Sequence, residues 1–132
     1  MSATRRVWAV VMVCALLAGG AALEAARWIH LGDRVVTDGQ DHDTIAVGRR
    51  DGEFTAIKLQ VRRHDVDFHR VVVHFANGQR HEAEVRSTIR AGGETRAIDL
   101  PGRDRVIERV EFWYDAKTSR GRTATVRLFG QR

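Results

Sequence analysis

The chain lacks almost everything that usually marks a site by composition. It has one cysteine, Cys14, in 132 residues, and one proline, Pro101. Cys14 sits in an apolar stretch near the start, so the remaining chain has no disulfide, no thiolate metal site and no thiol nucleophile. Many small exported domains depend on disulfides; this one has to stand on its core. Lysine is equally scarce: of 22 basic residues only Lys58 and Lys117 are lysine. Such an arginine bias reflects base composition more often than a binding role. No G-x-S-x-G elbow, H-E-x-x-H pair or G-x-x-x-x-G-K-[ST] loop is present. Ser87 and Ser119 stand in no nucleophile motif. A non-catalytic role is therefore expected ahead of an enzyme.

The first residues have a different character. Arg5 and Arg6 are the only charges before an unbroken apolar run from Val7 to Leu17, and small residues follow through Ala22. A basic head, a short apolar core and small residues describe a secretory signal peptide. The expected division is a signal segment 1–22, cut after Ala22 or alternatively after Ala26, and one domain over 27–132. Retained, the stretch 7–23 would be near the lower limit of a membrane anchor, with the domain outside. A periplasmic or secreted location is expected, with inner-membrane anchoring as the alternative. Without Arg5 and Arg6 the formal charge falls from +5 to +3. That excess is small and interspersed with acids, so no nucleic-acid partner is expected.

From about residue 28 onward, apolar residues recur with period two, with turn residues between the segments. Strands are expected near 28–36, 44–47, 54–62, 66–75, 79–89, 95–100, 105–115 and 123–130. Ile57, Leu59 and Val61 share one face of the third, and Val106, Val110, Phe112 and Tyr114 one face of the seventh. No stretch has a convincing helical period. The fold class is all-β: an antiparallel β-sandwich of about eight strands, with a small β-barrel as the alternative. About 106 to 110 residues suffice for one such core and not two.

One hairpin can be taken to its register. Asn77-Gly78 is a strong turn signal. A two-residue loop would set Val71 against Glu84 and Val73 against Glu82, mixing apolar and charged groups on one face. A three-residue loop, Ala76-Asn77-Gly78, sets Val71 against Ala83 and Val73 against His81, with Arg70 opposite Glu84. Burial of one face selects the second register, with a type I turn and Gly78 left-handed in a bulge. Val66 and Phe68 have the opposite parity to Val71, Val73 and Phe75, which calls for a second bulge near His69-Arg70.

Four groups of residues are candidates for a site. Asp38, Asp41 and Asp43, on a loop with Gly39 and His42, offer hard oxygens for calcium, although Asp and Gly also simply favour turns. His64, Asp67 and His69 carry zinc-type ligands, as a metal site or as a polar strand entry. Arg103, Arg105 and Arg109, with Arg62-Arg63 and Arg120 and Arg122 elsewhere, could meet an anionic ligand. Trp113 could add a flat ring for a glycan, with Trp28 and Tyr114 as further rings; Trp113 and Tyr114 are adjacent in a strand and so point to opposite faces.

Asp41-His42-Asp43-Thr44-Ile45, Phe54-Thr55-Ala56-Ile57-Lys58-Leu59, the stretch from Gly93 through Ile98-Asp99-Leu100-Pro101 to Gly102, and Val110-Glu111-Phe112-Trp113-Tyr114 together resemble the bacterial proteins grouped as domain of unknown function 2541. The likeness runs from about Trp28 to Gly130. It implies a small, exported, all-β protein, with no activity and no catalytic residue to carry over. Some members have cysteines in this region; this chain has none. The Pro101-Gly102 corner is expected to be fixed by Asp99 capping the turn with Arg105 packed over it.

The overall expectation is a binding or accessory module of the cell envelope without a resident cofactor, whose partner is an envelope protein, a glycan or an anionic ligand. The alternatives are a metal-dependent hydrolase built on the His/Asp cluster and a purely structural envelope protein.

Overall fold

The structure, a computed structural model, describes residues 27–117 and 122–132. The expected signal segment, Cys14 and Arg120 lie outside the described residues. Ten strands follow in order: β1 (Trp28–Val36), β2 (His42–Ala46), β3 (Glu53–Phe54), β4 (Ala56–Arg62), β5 (Val66–Phe75), β6 (Arg80–Ala83), β7 (Ser87–Ile89), β8 (Ile98–Asp99), β9 (Arg105–Ala116) and β10 (Ala124–Gln131). One 3-10 turn, Arg49–Asp51, stands between β2 and β3. Among the described residues no helix is long and apolar enough to cross a membrane.

Two antiparallel sheets pack face to face, and neither closes into a barrel. The first has the order β1-β10-β4-β8, and the second β2-β9-β5-β6, with β3 added on β9 and β7 on β5. The eight expected strands become ten because two of them break. Thr55 separates β3 from β4: its N–H turns to the Gln131 carbonyl and its own carbonyl accepts from Leu100. Glu84-Val85-Arg86 separates β6 from β7.

Alternation places the core. Ile57, Leu59 and Val61 of β4, with Val126 and Leu128 of β10, face Val71 and Val73 of β5 and Val110 and Phe112 of β9, all fully buried. Burying each such side chain is worth about 1.5–3 kcal/mol. No buried side-chain polar atom among the described residues lacks a hydrogen-bond partner.

The hairpin has the expected register, Val71 opposite Ala83 and Val73 opposite His81. Gly78 has φ +88°, and its N–H bonds the Phe75 carbonyl at 3.0 Å. Arg70 does not meet Glu84; it pairs diagonally with Glu82 at 2.5 Å. The bulge that reconciles the two parities of β5 falls at His69, between Phe68 opposite Tyr114 and Arg70 opposite Trp113. A further bulge falls at Glu108 of β9. Its carbonyl is taken by the N–H of Val47 at 2.9 Å. This bulge corrects the expected face of β9: Ile107, not Val106, is the buried neighbour of Val110 and Phe112.

The Pro101-Gly102 corner is also held differently from expectation. Asp99 is exposed, and its carboxylate makes no bond among the described residues. A backbone bond from the Arg103 N–H to the Leu100 carbonyl at 3.3 Å closes the turn, and Arg105 is the side chain that braces it. It donates to the Pro101 carbonyl at 2.7 Å and to Gln79 Oε1 at 2.7 Å, with its guanidinium 3.8 Å from the centre of the Phe75 ring.

Candidate binding face

The second sheet turns one face to the core and the other outward. Along the middle of β9 the outward side chains are Arg109, Glu111 and Trp113, because Val110, Phe112 and Tyr114 point in. Register supplies their neighbours. His42 of β2 stands opposite Trp113, and Arg70 of β5 stands opposite it on the other side. The indole is therefore flanked from both strands. The His42 ring lies 4.6 Å away at 37°, and the Arg70 guanidinium lies 4.6 Å from the ring centre. A cation over an indole contributes about 0.5–1 kcal/mol at an exposed site.

Glu111, one step along β9, reaches both diagonals. One carboxylate oxygen meets His42 Nε2 at 2.8 Å, and the other bonds His74 Nε2. Burial alone would raise the Glu111 carboxyl; the bonds and charges of the two histidines outweigh it and hold the group below the usual carboxylate range. Three strands are tied across their outer face by side chains that satisfy one another, and the stems of this layer cover Val72 beneath it. Beside the layer, next to Arg70, lies an open cleft of about 780 Å³ lined by His69, Glu82, Ala83, Glu84 and Arg86.

The acidic loop divides. Asp38 and Asp41 are exposed in the turn before β2, whereas Asp43 points between the sheets. There it accepts from Arg34 Nε at 2.7 Å and from the Tyr114 hydroxyl at 3.1 Å. The His/Asp cluster separates as well. His64 Nδ1 donates to the Thr123 carbonyl at 2.9 Å, Asp67 accepts from Thr88 at 3.2 Å, and His69 lies exposed at the bulge. Among the described residues no group of three or more His, Cys, Asp or Glu side chains is arranged to hold a metal ion.

Of the arginine group, Arg109 pairs with Glu108 at 2.8 Å and shares the outer face of β9 with Trp113. Arg105 is consumed at the corner. Arg103 is exposed in the turn with φ +51°. The three rings form no common platform. Tyr114 is in the core, and Trp28 belongs to the first sheet beneath Lys58, whose Nζ is 4.4 Å from its centre. The Glu111 link was not foreseen from sequence, because His42 is 69 residues from it and His74 is 37.

The chain belongs to the family described as Domain of unknown function (DUF2541), whose model matches residues 9–130. No curated protein matches the chain. A solved structure of Pseudomonas aeruginosa AlgX is similar with a TM-score of 0.48 and 11% sequence identity, over 77% of this chain and 26% of that one. The chain thus spans about a quarter of that protein's length.

Proposed function

We propose that the protein is an exported, non-catalytic binding module of the cell envelope whose contact surface is the outer face of the second sheet, and that its partner is another protein. The observation that carries this is Trp113, held between His42 and Arg70. Its neighbours are already fixed in place by Glu111 and Glu82. Tryptophan and arginine are the residues most often found at the energetic centre of protein interfaces, and a preset arrangement lowers the entropic cost of association.

Shape favours a protein over a small molecule. Small ligands take concave, mostly apolar cavities; the cleft beside Arg70 is open and polar, and the face of the sheet is broad. His42 and Arg70 both lie against the indole, so a sugar ring would have to compete with them to stack on it. Charge on the face is mixed, with Arg70, Arg109, Glu82 and Glu111 interleaved, which suits a partner surface of mixed sign. Export is supported by Arg5 and Arg6 ahead of the apolar run Val7 to Leu17.

The test is site-specific photo-crosslinking in cells that make the full chain. A crosslinker replacing Thr44, on the outer face of β2, should give a discrete protein adduct that disappears when Trp113→Ala is added. The same crosslinker at Gln60, on the outer face of the first sheet, should give none. An adduct that survives Trp113→Ala, or identical adducts from both positions, would overturn the assignment.

A further inference from the structure

The topology brings several arginine-bearing turns to one end of the sandwich. The chain enters there at Arg27, whose carbonyl accepts from the N–H of Arg132. The hairpin tip at Asn77-Gly78, the corner 101–104 and the 3-10 turn Arg49–Asp51 lie at the same end, because β5 finishes there while β4 and β9 begin there. Arg27, Arg49, Arg50, Arg80 and Arg103 are all exposed at this end. None of them forms an ion pair among the described residues. Arg105 and Arg132 join them, bonded to the carbonyls of Pro101 and Asp51 and so not neutralised by an acid.

Against these seven arginines stand four acids, Asp51, Glu53, Asp99 and Asp104. The difference is +3. Of the 22 basic and 17 acidic residues of the chain, Arg5, Arg6, Arg120 and Glu24 lie outside the described set, which leaves a net +3 there too. Among the described residues the whole excess of positive charge is therefore gathered at one end, and the rest are balanced. Two shallow depressions flank the hairpin tip and share Arg105. One, of about 380 Å³, is bordered by Arg49 and Asp104; the other, of about 510 Å³, by Arg80 and Gly102.

We propose that this arginine end docks on a membrane surface rich in anionic phospholipid. The end is a set of protruding turns and not a groove, so it fits a broad charged plane better than a strand of polyanion. Unpaired basic side chains near such a plane are each attracted to it. Placement gives a second argument. Only residues 24–26 separate the apolar stretch 7–23 from Arg27, and three residues reach about 11 Å at most. Whenever that run occupies a bilayer, this is the end held at the headgroups. Trp28, beneath Lys58, also stands at this end, and tryptophan favours the membrane–water interface.

The core and the side chains packed against it lie between Ile29 and Leu128, so residues 27–132 contain all of it and can be tested as a unit. It should co-sediment with phosphatidylglycerol-rich vesicles, not with phosphatidylcholine vesicles, and release in high salt. The triple variant R49Q/R50Q/R80Q should weaken partitioning about fivefold per arginine, on the order of a hundredfold in all. The matched variant R62Q/R63Q/R122Q, at the opposite end, should bind as the parent does. Unfolding midpoints of both variants, read in parallel, show that each remains folded. Absence of binding to anionic vesicles, or equal loss in the two triple variants, would overturn the proposal. So would equal affinity for inorganic polyphosphate, which would make the end a site for soluble polyanions.

Discussion

The Tyr114 hydroxyl donates to Asp43 Oδ2 at 3.1 Å, just inside the rim of the sandwich. Arg34, from the opposite sheet, holds Oδ1 of the same carboxylate at 2.7 Å. Tyr114 is 1% exposed and Asp43 7%; the phenol ties β9 to β2 within the second sheet, and the exposed Arg34 ties the same carboxylate to β1 of the first sheet. Burial first, and then the Asp43 charge and bond, push the Tyr114 phenol above its ordinary value of 10.0.

That shift has a definite sign. A group whose folded-state value is raised contributes stability fully present below its unfolded value and lost as pH rises above it. Tyr114 is the only tyrosine, so phenolate absorbance reports on it alone. In an alkaline titration the phenolate signal should rise together with loss of β-sheet circular dichroism, above about pH 10. A phenolate transition near pH 10 in a protein still folded would refute this placement.

Removing the partners should cost unequal amounts. Tyr114→Phe leaves the Arg34–Asp43 pair intact and should lower stability by about 1 kcal/mol, whereas Asp43→Ala strands a buried hydroxyl and should cost about 2–3 kcal/mol. The double variant should lose less than the sum, because the groups share one bond. Urea midpoints decide, and strict additivity would argue against the shared bond.

Glu111 gives the opposite pH dependence. Its carboxyl is depressed below the ordinary 4.5 by His42 and His74, in spite of burial. Its contribution is therefore present above the unfolded value and lost as pH falls through the folded one. Glu111→Gln should lower stability by about 1 kcal/mol at neutral pH, and the gap to the parent should close in acid. A gap that persists unchanged well below pH 4 would show that the loss comes from packing and not from charge.

How much of this was legible in the residues depended on how local each feature was. The hairpin register followed from the parity of Val71 and Val73 around Asn77-Gly78, and the His69 bulge from the clash of that parity with Val66 and Phe68. The Glu108 bulge could not be read, because Val106 and Ile107 are both β-branched and either could point inward. The face built on Trp113, His42 and Arg70 needs the strand order β2-β9-β5, which no single segment encodes. Asp43 looked like a loop carboxylate among Asp38 and Asp41, yet β2 begins two residues earlier than Thr44 and turns Asp43 inward.

The corner before β9 separates Asp99 from Arg105. With no bond to lose, Asp99→Ala should change stability by less than about 0.5 kcal/mol. Arg105→Ala removes the bonds to Pro101 and Gln79 and the packing on Phe75, and should cost about 1 kcal/mol even with its partial exposure. The two substitutions measured side by side identify which residue holds the turn; a larger loss for Asp99→Ala would reverse the assignment.

Gly130 and Gly78 are required for different reasons, and substitution can tell them apart. A Cβ on Gly130 of β10 would lie 2.6 Å from Cδ1 of Phe54, a fully buried residue of β3, and 2.9 Å from Leu31 Cδ1. Glycine in a strand interior marks such a close approach. Gly130→Ala should cost about 1–3 kcal/mol through overpacking. Phe54→Leu shortens the ring that blocks the site, so Gly130→Ala should cost less in that background than alone. A Cβ on Gly78 would meet open space, and the constraint there is φ +88°. Gly78→Ala should cost about 1 kcal/mol from backbone strain, and Phe54→Leu should leave that cost unchanged. Urea midpoints for the two cycles separate the cases: coupling between positions 54 and 130 and none between 54 and 78 is the expected pattern, and additivity at 54 and 130 would mean that the two sheets relax around the new methyl group.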